Sequence, residues 1–310
     1  MTLSSPLSCP FTACLPLLLL WGCAGAPSAP ATAPAYLAGP AYTVYAAGDI
    51  ADCRQRGWQY TGAALTAELI AGELAGKPEA AVLSLGDHTY PVGLAAEFRD
   101  CYAPTWGRFK ERTYPTPGNH EYYGSKSASG YVDYFGRPDY YSFQLGSWHV
   151  ISLNSHLPAA RLDEQLAWLK DDLARHPTRC TLAYWHAPLY SSGGHRAPKT
   201  MQPAWQALHE AGAELVLSGH DHDYERFAPQ DASGNVDQAR GLRQFVIGTG
   251  GAFLTPFFYF MPHSEVRDNS SHGVLKLRLH EAGYSWQYLA VPDDGTVARP
   301  APDSGAAPCH

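Results

Sequence analysis

Glu214-Leu215-Val216-Leu217-Ser218-Gly219-His220-Asp221-His222-Asp223-Tyr224-Glu225-Arg226 places two histidines, one residue apart, just beyond a short apolar run. Leu215–Ser218 reads as a buried strand, and Gly219 as the tight turn that closes it. An extended segment past a strand end can aim both imidazoles at neighbouring points of one pocket. Metal binding is the usual reason to crowd such groups there. Glu225 and Arg226, adjacent in the same run, read as a supporting ion pair.

Upstream, other strands finish in the same way. Tyr42–Ala47 ends at Gly48-Asp49, and Ala80–Leu85 at Gly86-Asp87. The short extended piece Tyr114–Pro117 ends at Gly118-Asn119-His120-Glu121, and Cys180–Trp185 ends at His186. Glycine before Asp49, Asp87, Asn119 and His220 lets the backbone turn sharply while the next side chain reaches inward. A lone Gly-Asp is ordinary turn chemistry. The ordered set predicts instead that Asp49, Asp87, Asn119, His186, His220 and His222 meet. Two carboxylates, an amide oxygen and three imidazoles suit a pair of Fe, Zn or Mn ions better than a thiolate-rich structural zinc site. One carboxylate can bridge ions about 3.5–4 Å apart.

The rest of the chain supplies the frame. Helices are expected over Gly62–Leu74, with Leu65, Leu69 and Ile70 inward, and over Ala95–Tyr102 and Trp106–Arg112. Two more are expected over Arg161–Arg175, with Leu162, Leu166, Leu169 and Leu173 on one face, and near Met201–Ala211. Tyr141–Leu145 and Trp148–Leu153 flank Gly146-Ser147 as a hairpin. Residues 122–138 read as a long loop, and Phe253–Met261 as a loop covering the core. Gly248-Thr249-Gly250-Gly251 lacks the Lys-Ser/Thr of a nucleotide-binding loop and reads as a tight strand exit near the metal site. Val274–His280 and Tyr284–Leu289 form a final pair. Alternating strands and helices followed by hairpins predict an α/β (α+β) layered domain, with functional groups at the carboxyl ends of its strands.

The chain has 310 residues, 45% of them hydrophobic, enough for a sizeable core. Its net charge of −7 argues against a nucleic-acid partner. Phe11–Trp21 is apolar but too short to span a bilayer, so residues 1–23 read as a signal segment. Leu20-Trp21-Gly22-Cys23 is similar to a bacterial lipobox, which would lipidate Cys23. Against it, no Lys or Arg precedes Arg54 and Trp21 is bulky, so ordinary signal cleavage is the alternative. Both lead to export, to the cell envelope, the periplasm or the medium. Residues 24–41 read as an Ala/Pro-rich linker, 42–291 as the catalytic domain and 292–310 as a flexible tail. In an oxidising compartment Cys53, Cys101, Cys180 and Cys309 can form disulfides. Cys53 and Cys101, each shortly after a motif strand, are the expected pair, with buried free thiols as the alternative.

The ordered motifs from Gly48-Asp49 to His220-Asp221-His222 resemble those of the calcineurin-like metallophosphoesterases, over roughly residues 42–290. The resemblance implies a four-layer αββα sandwich of two mixed sheets, with a dinuclear metal site between them. Most members carry histidine two residues after the first aspartate, where this chain has Ala51. Gly86-Asp87-His88-Thr89-Tyr90 and His220–Arg226 instead resemble motifs of purple acid phosphatases. That resemblance gives the first metal Asp49, Tyr90 and His222, the second Asn119, His186 and His220, and makes Asp87 the bridge. It places His120 beside the phosphate as the catalytic group assisting the leaving oxygen, and suggests His195 as a substrate-facing imidazole. A tyrosinate ligand favours Fe(III) at the first site, with Fe(II), Zn or Mn at the second; Asp52 is the alternative to Tyr90. The family's large plant members carry an N-terminal β-sandwich, so this chain is expected to be a compact version. The implied activity is hydrolysis of a small phosphomonoester by in-line attack of a metal-bound hydroxide. The alternatives are a phosphodiesterase or nucleotide hydrolase on the same fold, or a metal-binding adaptor without catalysis.

Overall fold

The strands run, in chain order, β1 (Tyr42–Ala47), β2 (Ala51–Asp52), β3 (Ala81–Ser84), β4 (Thr89–Tyr90) and β5 (Thr113–Pro115). After them come β6 (Tyr141–Leu145), β7 (Trp148–Ser152), β8 (Cys180–Tyr184), β9 (Leu215–Ser218) and β10 (Tyr224–Phe227). The last are β11 (Arg243–Ile247), β12 (Ser264–Asp268), β13 (His272–His280), β14 (Gly283–Val291) and β15 (Ser304–Pro308). The α-helices are α1 (Gly62–Leu74), α2 (Ala95–Glu97), α3 (His120–Tyr123), α4 (Ser129–Phe135), α5 (Ala159–Arg175) and α6 (Gln202–Glu210). These elements come from a computed structural model, which describes residues 33–55, 61–195, 197–291 and 303–310. The expected signal segment, with Cys23, lies outside the described residues.

Two mixed sheets carry the fold. The first has the order β15-β14-β13-β1-β3-β5, the second β12-β10-β11-β9-β8-β7-β6. In the first, β1, β3 and β5 are parallel; in the second, β7, β8, β9 and β11 are. Strand alternation distributes the core. Val150, Leu182, Leu217 and Phe245 of the second sheet pack in the cluster that also holds Val44, Leu83 and Leu275 of the first. Their neighbours Ile151, Ala183, Val216 and Val246 face the other way, onto Leu169 of α5 and Trp205 and Leu208 of α6. Helix α1 packs against β13 and β14 of the first sheet, which completes the helix–sheet–sheet–helix layering. Among the described residues no helix is long and apolar enough to cross a membrane.

Several expectations change. Helix α1 buries Ala63, Ala67, Ile70 and Leu74, while Leu65 and Leu69 stay half-buried. The small residues let it approach closely: a Cβ on Gly62 would lie 2.7 Å from Gly251 O. Residues 122–138 are not one loop, since α4 packs Tyr131 into the core. Ser264–Asp268, unassigned by pattern, pairs with β10. The flexible tail is corrected over 303–310: β15 pairs along β14, and Asp303 is buried against Tyr224 and Arg226. Residues 292–302 lie outside the described residues. Cys53 joins Cys101 as expected, and Cys180 joins Cys309 as well.

Glu225 and Arg226 do not pair with each other. As consecutive strand residues they project to opposite faces. Glu225 accepts from Ser192 N at 2.7 Å, while Arg226 donates to Asp303 at 2.7 Å and also meets Glu265. The loop Phe253–Met261 does not cover the core either. Phe258 and Phe260 are 71% and 69% exposed, and only Met261 packs onto the apolar cluster beneath.

Candidate metal centre

The carboxyl ends of the parallel strands meet at one end of the sandwich. Asp49 follows β1, Asp87 follows β3 and Asn119 follows β5, all from the first sheet. His186 follows β8, and His220 and His222 follow β9, from the second. Three of these sit on left-handed backbone: φ is 60° at Asp49, 49° at Asp87 and 73° at His220. Such conformations cost energy for residues bearing a Cβ and persist only where the surroundings hold them. Gly86, at φ 89°, leaves room for His186, because a Cβ there would lie 2.6 Å from Nδ1 of that ring. Gly219 does the same for Asp49, whose Oδ2 would lie 2.5 Å from an added Cβ.

Glu121 fixes the first sheet's contribution. Fully buried, it accepts hydrogen bonds from the N–H groups of Asp87 (3.0 Å), His88 (2.8 Å) and Gly118 (2.7 Å). One carboxylate thus ties the end of β3 to the end of β5. His88 points away from the pocket, into a box of aromatic rings that includes Tyr102 and Phe135.

The donor atoms form two groups that share Asp87. In the first, Tyr90 OH lies 2.8 Å from Asp49 Oδ1, 3.0 Å from His222 Nε2 and 3.2 Å from Asp87 Oδ2. His222 Nδ1 donates to Phe253 O at 2.7 Å, which leaves Nε2 with a free lone pair facing the cluster. In the second, His186 Nε2 lies 3.2 Å from Asp87 Oδ2, 3.1 Å from Asn119 Oδ1 and 3.3 Å from His220 Nδ1. His186 Nδ1 is spent on Leu85 O at 2.7 Å. Ligand atoms of Asp87, His186 and His220 all lie within 4.8 Å of one another. Asp52 is engaged elsewhere, forked by Arg54 with both contacts at 2.8 Å.

The electrostatics are those of a cluster built around positive charge. Burial opposes ionisation of Asp87, but the His186 and His120 imidazoles outweigh it and hold the carboxyl below its usual range. Burial likewise opposes charge on His186, yet Asp87 and Asp49 push it up to about 10. His220, desolvated and beside His186, falls to about 4. Burial, with Asp49 and Asp87 close by, pushes the Tyr90 phenol well up. Buried anions crowded this closely need cations to neutralise them, and the O/N donor set fits a pair of metal ions.

His120 sits above the cluster, 23% exposed on its side chain, with Nδ1 held by Pro91 O at 2.7 Å and Nε2 3.8 Å from Asp87 Oδ2. His195 closes the opposite rim, its ring 5.4 Å from His220 and 5.2 Å from His222. Asp221 anchors it, accepting from His195 N at 2.8 Å and from Ser191 Oγ at 2.5 Å. With Arg54, Tyr123 and Phe253 these residues line a pocket of about 400 Å³. Sequence reasoning missed His156, whose ring lies 5.6 Å from His186 and which burial holds down at about 3. It follows β7 without the Gly-Asp signature; its signal was only Asn154-Ser155-His156 at the end of another parallel strand.

A family model described as calcineurin-like phosphoesterase matches residues 41–224. Purple acid phosphatase 15 of Arabidopsis thaliana is 35% identical over 39% of this chain and 27% of its own length. Purple acid phosphatase 22 of the same plant is 30% identical over 61% of this chain and 51% of its own. The chain therefore spans about half or less of these curated relatives. Among solved structures, purple acid phosphatase PPD1 from yellow lupin (Lupinus luteus) superposes with a TM-score of 0.67 at 19% identity. That match covers 87% of this chain and 54% of the lupin one, and the fold is what it shares.

Proposed function

This chain belongs to the calcineurin-like phosphoesterase family, and on that premise we propose that it is an exported phosphomonoesterase of the purple-acid-phosphatase kind, working with two metal ions. One observation carries the reading: donors from the ends of two different sheets converge on adjoining points, with two further imidazoles at the mouth. Asp49, Tyr90 and His222 would hold the first ion and Asn119, His186 and His220 the second, with Asp87, within reach of both sets, as their shared ligand. Tyr90 rather than Asp52 belongs to the first site, because Arg54 already occupies Asp52. A phenolate ligand favours Fe(III) there, with Fe(II), Zn or Mn beside it. Such ions supply Lewis acidity, which neutralises the phosphate and acidifies the attacking water.

The chain's own residues do the rest. His120 donates from Nε2 to the departing ester oxygen, its ring fixed by Pro91 O at the other nitrogen. His195, steadied by Asp221, donates to a non-bridging phosphate oxygen from the opposite rim. Arg54 lines the entrance with its guanidinium paired to Asp52, which leaves the two rim imidazoles as the groups that meet an anionic substrate. Two disulfides suit an oxidising compartment and support export.

The test is hydrolysis of p-nitrophenyl phosphate against bis(p-nitrophenyl) phosphate by the full chain loaded with Fe and Zn or Mn. Faster monoester turnover is expected, with a visible tyrosinate–Fe(III) band that Tyr90→Phe abolishes. Faster diester turnover would make it a phosphodiesterase, and metal uptake with neither activity would make it an adaptor. Asp87→Ala should lose both ions and activity; two bound metals with full activity in that variant would overturn the assignment.

A further inference from the structure

A second cluster of metal-ligating side chains lies at the other end of the second sheet. His149 stands near the start of β7, whereas the catalytic mouth gathers at strand carboxyl ends. Asp172 and His176 sit at the C-terminal end of α5, four residues apart and so on one face of the helix. His149 Nε2 is 3.0 Å from Asp172 Oδ2, and His176 Nδ1 is 3.0 Å from Asp172 Oδ1. Ligand atoms of the three residues lie within 4.8 Å of one another.

An ion pair pinning α5 to β7 is the simpler use of such a cluster, and the angles argue against it as a full account. His149 and Asp172 are both buried, yet Oδ2 and Nε2, though 3.0 Å apart, are not aligned as a hydrogen bond. Buried polar atoms left unpaired are costly, and donors that approach without aligning are what ligands of a shared ion do. Ser142 Oγ donates to Asp172 Oδ1 at 2.9 Å, the kind of support that orients a ligating carboxylate. The carbonyl end of a helix carries partial negative charge that favours a cation. The His176 side chain, 44% exposed, leaves an entry path and an open position for water.

We propose that His149, Asp172 and His176 form a separate binding site for a borderline divalent metal, Zn2+ in the first instance, with His149 Nε2, Asp172 Oδ2 and His176 Nδ1 as ligands and water completing a tetrahedral set. To ligate through Nδ1, which lies 3.0 Å from Asp172 O, His176 takes the tautomer with its proton on the other ring nitrogen, Nε2. The ion clips the end of α5 to β7 and leaves the catalytic centre alone.

The test is Zn2+ stoichiometry of the chelator-stripped full chain, by equilibrium dialysis and elemental analysis, for the wild type, His176→Ala and Asp172→Asn. Each variant is expected to bind one Zn2+ fewer than wild type, whatever the catalytic centre holds. His176→Ala removes an exposed side chain, so it should keep the wild-type circular dichroism and phosphoesterase rate. With the catalytic centre already loaded, further Zn2+ should raise the Tm of the wild type and not of His176→Ala. Equal stoichiometry in all three proteins, or an equal Tm rise in the wild type and His176→Ala, would overturn the proposal.

Discussion

At the scale of single residues, His120 is constrained from behind. With Nδ1 committed to Pro91 O and its ring 4.2 Å from that of Tyr90, only Nε2 can serve a substrate. His120→Ala should therefore lower kcat by about 10²–10⁴-fold, the range for losing a general acid, while metal content stays unchanged. The loss should be larger for an alkyl phosphate than for p-nitrophenyl phosphate, whose leaving group needs little help, and parallel kinetics on the two substrates check this. A different residue contributes to the dependence of stability on pH. Glu214 is buried, and that burial pushes its carboxyl from 4.5 up to about 8, although His310 N donates to it at 3.0 Å. The folded state thus holds this proton to higher pH than the unfolded state does. The resulting penalty is absent below about pH 4.5, grows as pH rises, and is complete above about 8. Glu214→Gln should leave stability unchanged near pH 4 and raise it by about 2–5 kcal/mol at pH 9, readable by urea denaturation at the two pH values.

At the scale of elements, the strand ends depend on a carboxylate that touches no substrate. Glu121→Ala would strand the N–H groups of Asp87, His88 and Gly118 in a buried site, at about 1–3 kcal/mol each. Loss of more than about 3 kcal/mol in denaturant unfolding is expected, together with weakened metal uptake, because Asp87 and Asn119 lose their common tether. The strands that end this way were the legible part of the chain. An apolar run followed by a ligand, usually with glycine between them, is a local signal, and Asp49, Asp87, Asn119, His186 and the His220/His222 pair are brought together where that signal pointed. Elements decided by distant partners were not legible. Ser304–Pro308 has no strand pattern of its own, and pairs with β14 because Asp303 and Cys309 are fixed on either side of it. Ser129–Phe135 looked like loop because tyrosine, glycine and serine dominate there, yet packing of Tyr131 holds it as helix. The Glu225–Arg226 reading failed because adjacent charges on a strand cannot share a face.

At the scale of the whole molecule, two disulfides close separate loops, spanning 48 and 129 residues. Chain-entropy arguments put each at up to about 4–5 kcal/mol, with measured values usually about 2–4. Cys309→Ser should lower Tm by several degrees and raise hydrogen exchange along β15 and β14, while the Cys53–Cys101 loop keeps its protection; thermal scans and exchange mass spectrometry check both. The second bridge has a particular position. Cys180 opens β8 at the foot of the second sheet, and Cys309 directly follows the strand added to the edge of the first, whereas His186 and Asp87 face each other at the top. The bond is thus a clasp across the seam between the two halves that share the catalytic pocket. Readiness to take up metal then becomes linked to redox history. Material kept reduced should acquire its ions more slowly than oxidised material, so closure of this bond would precede filling of the metal site.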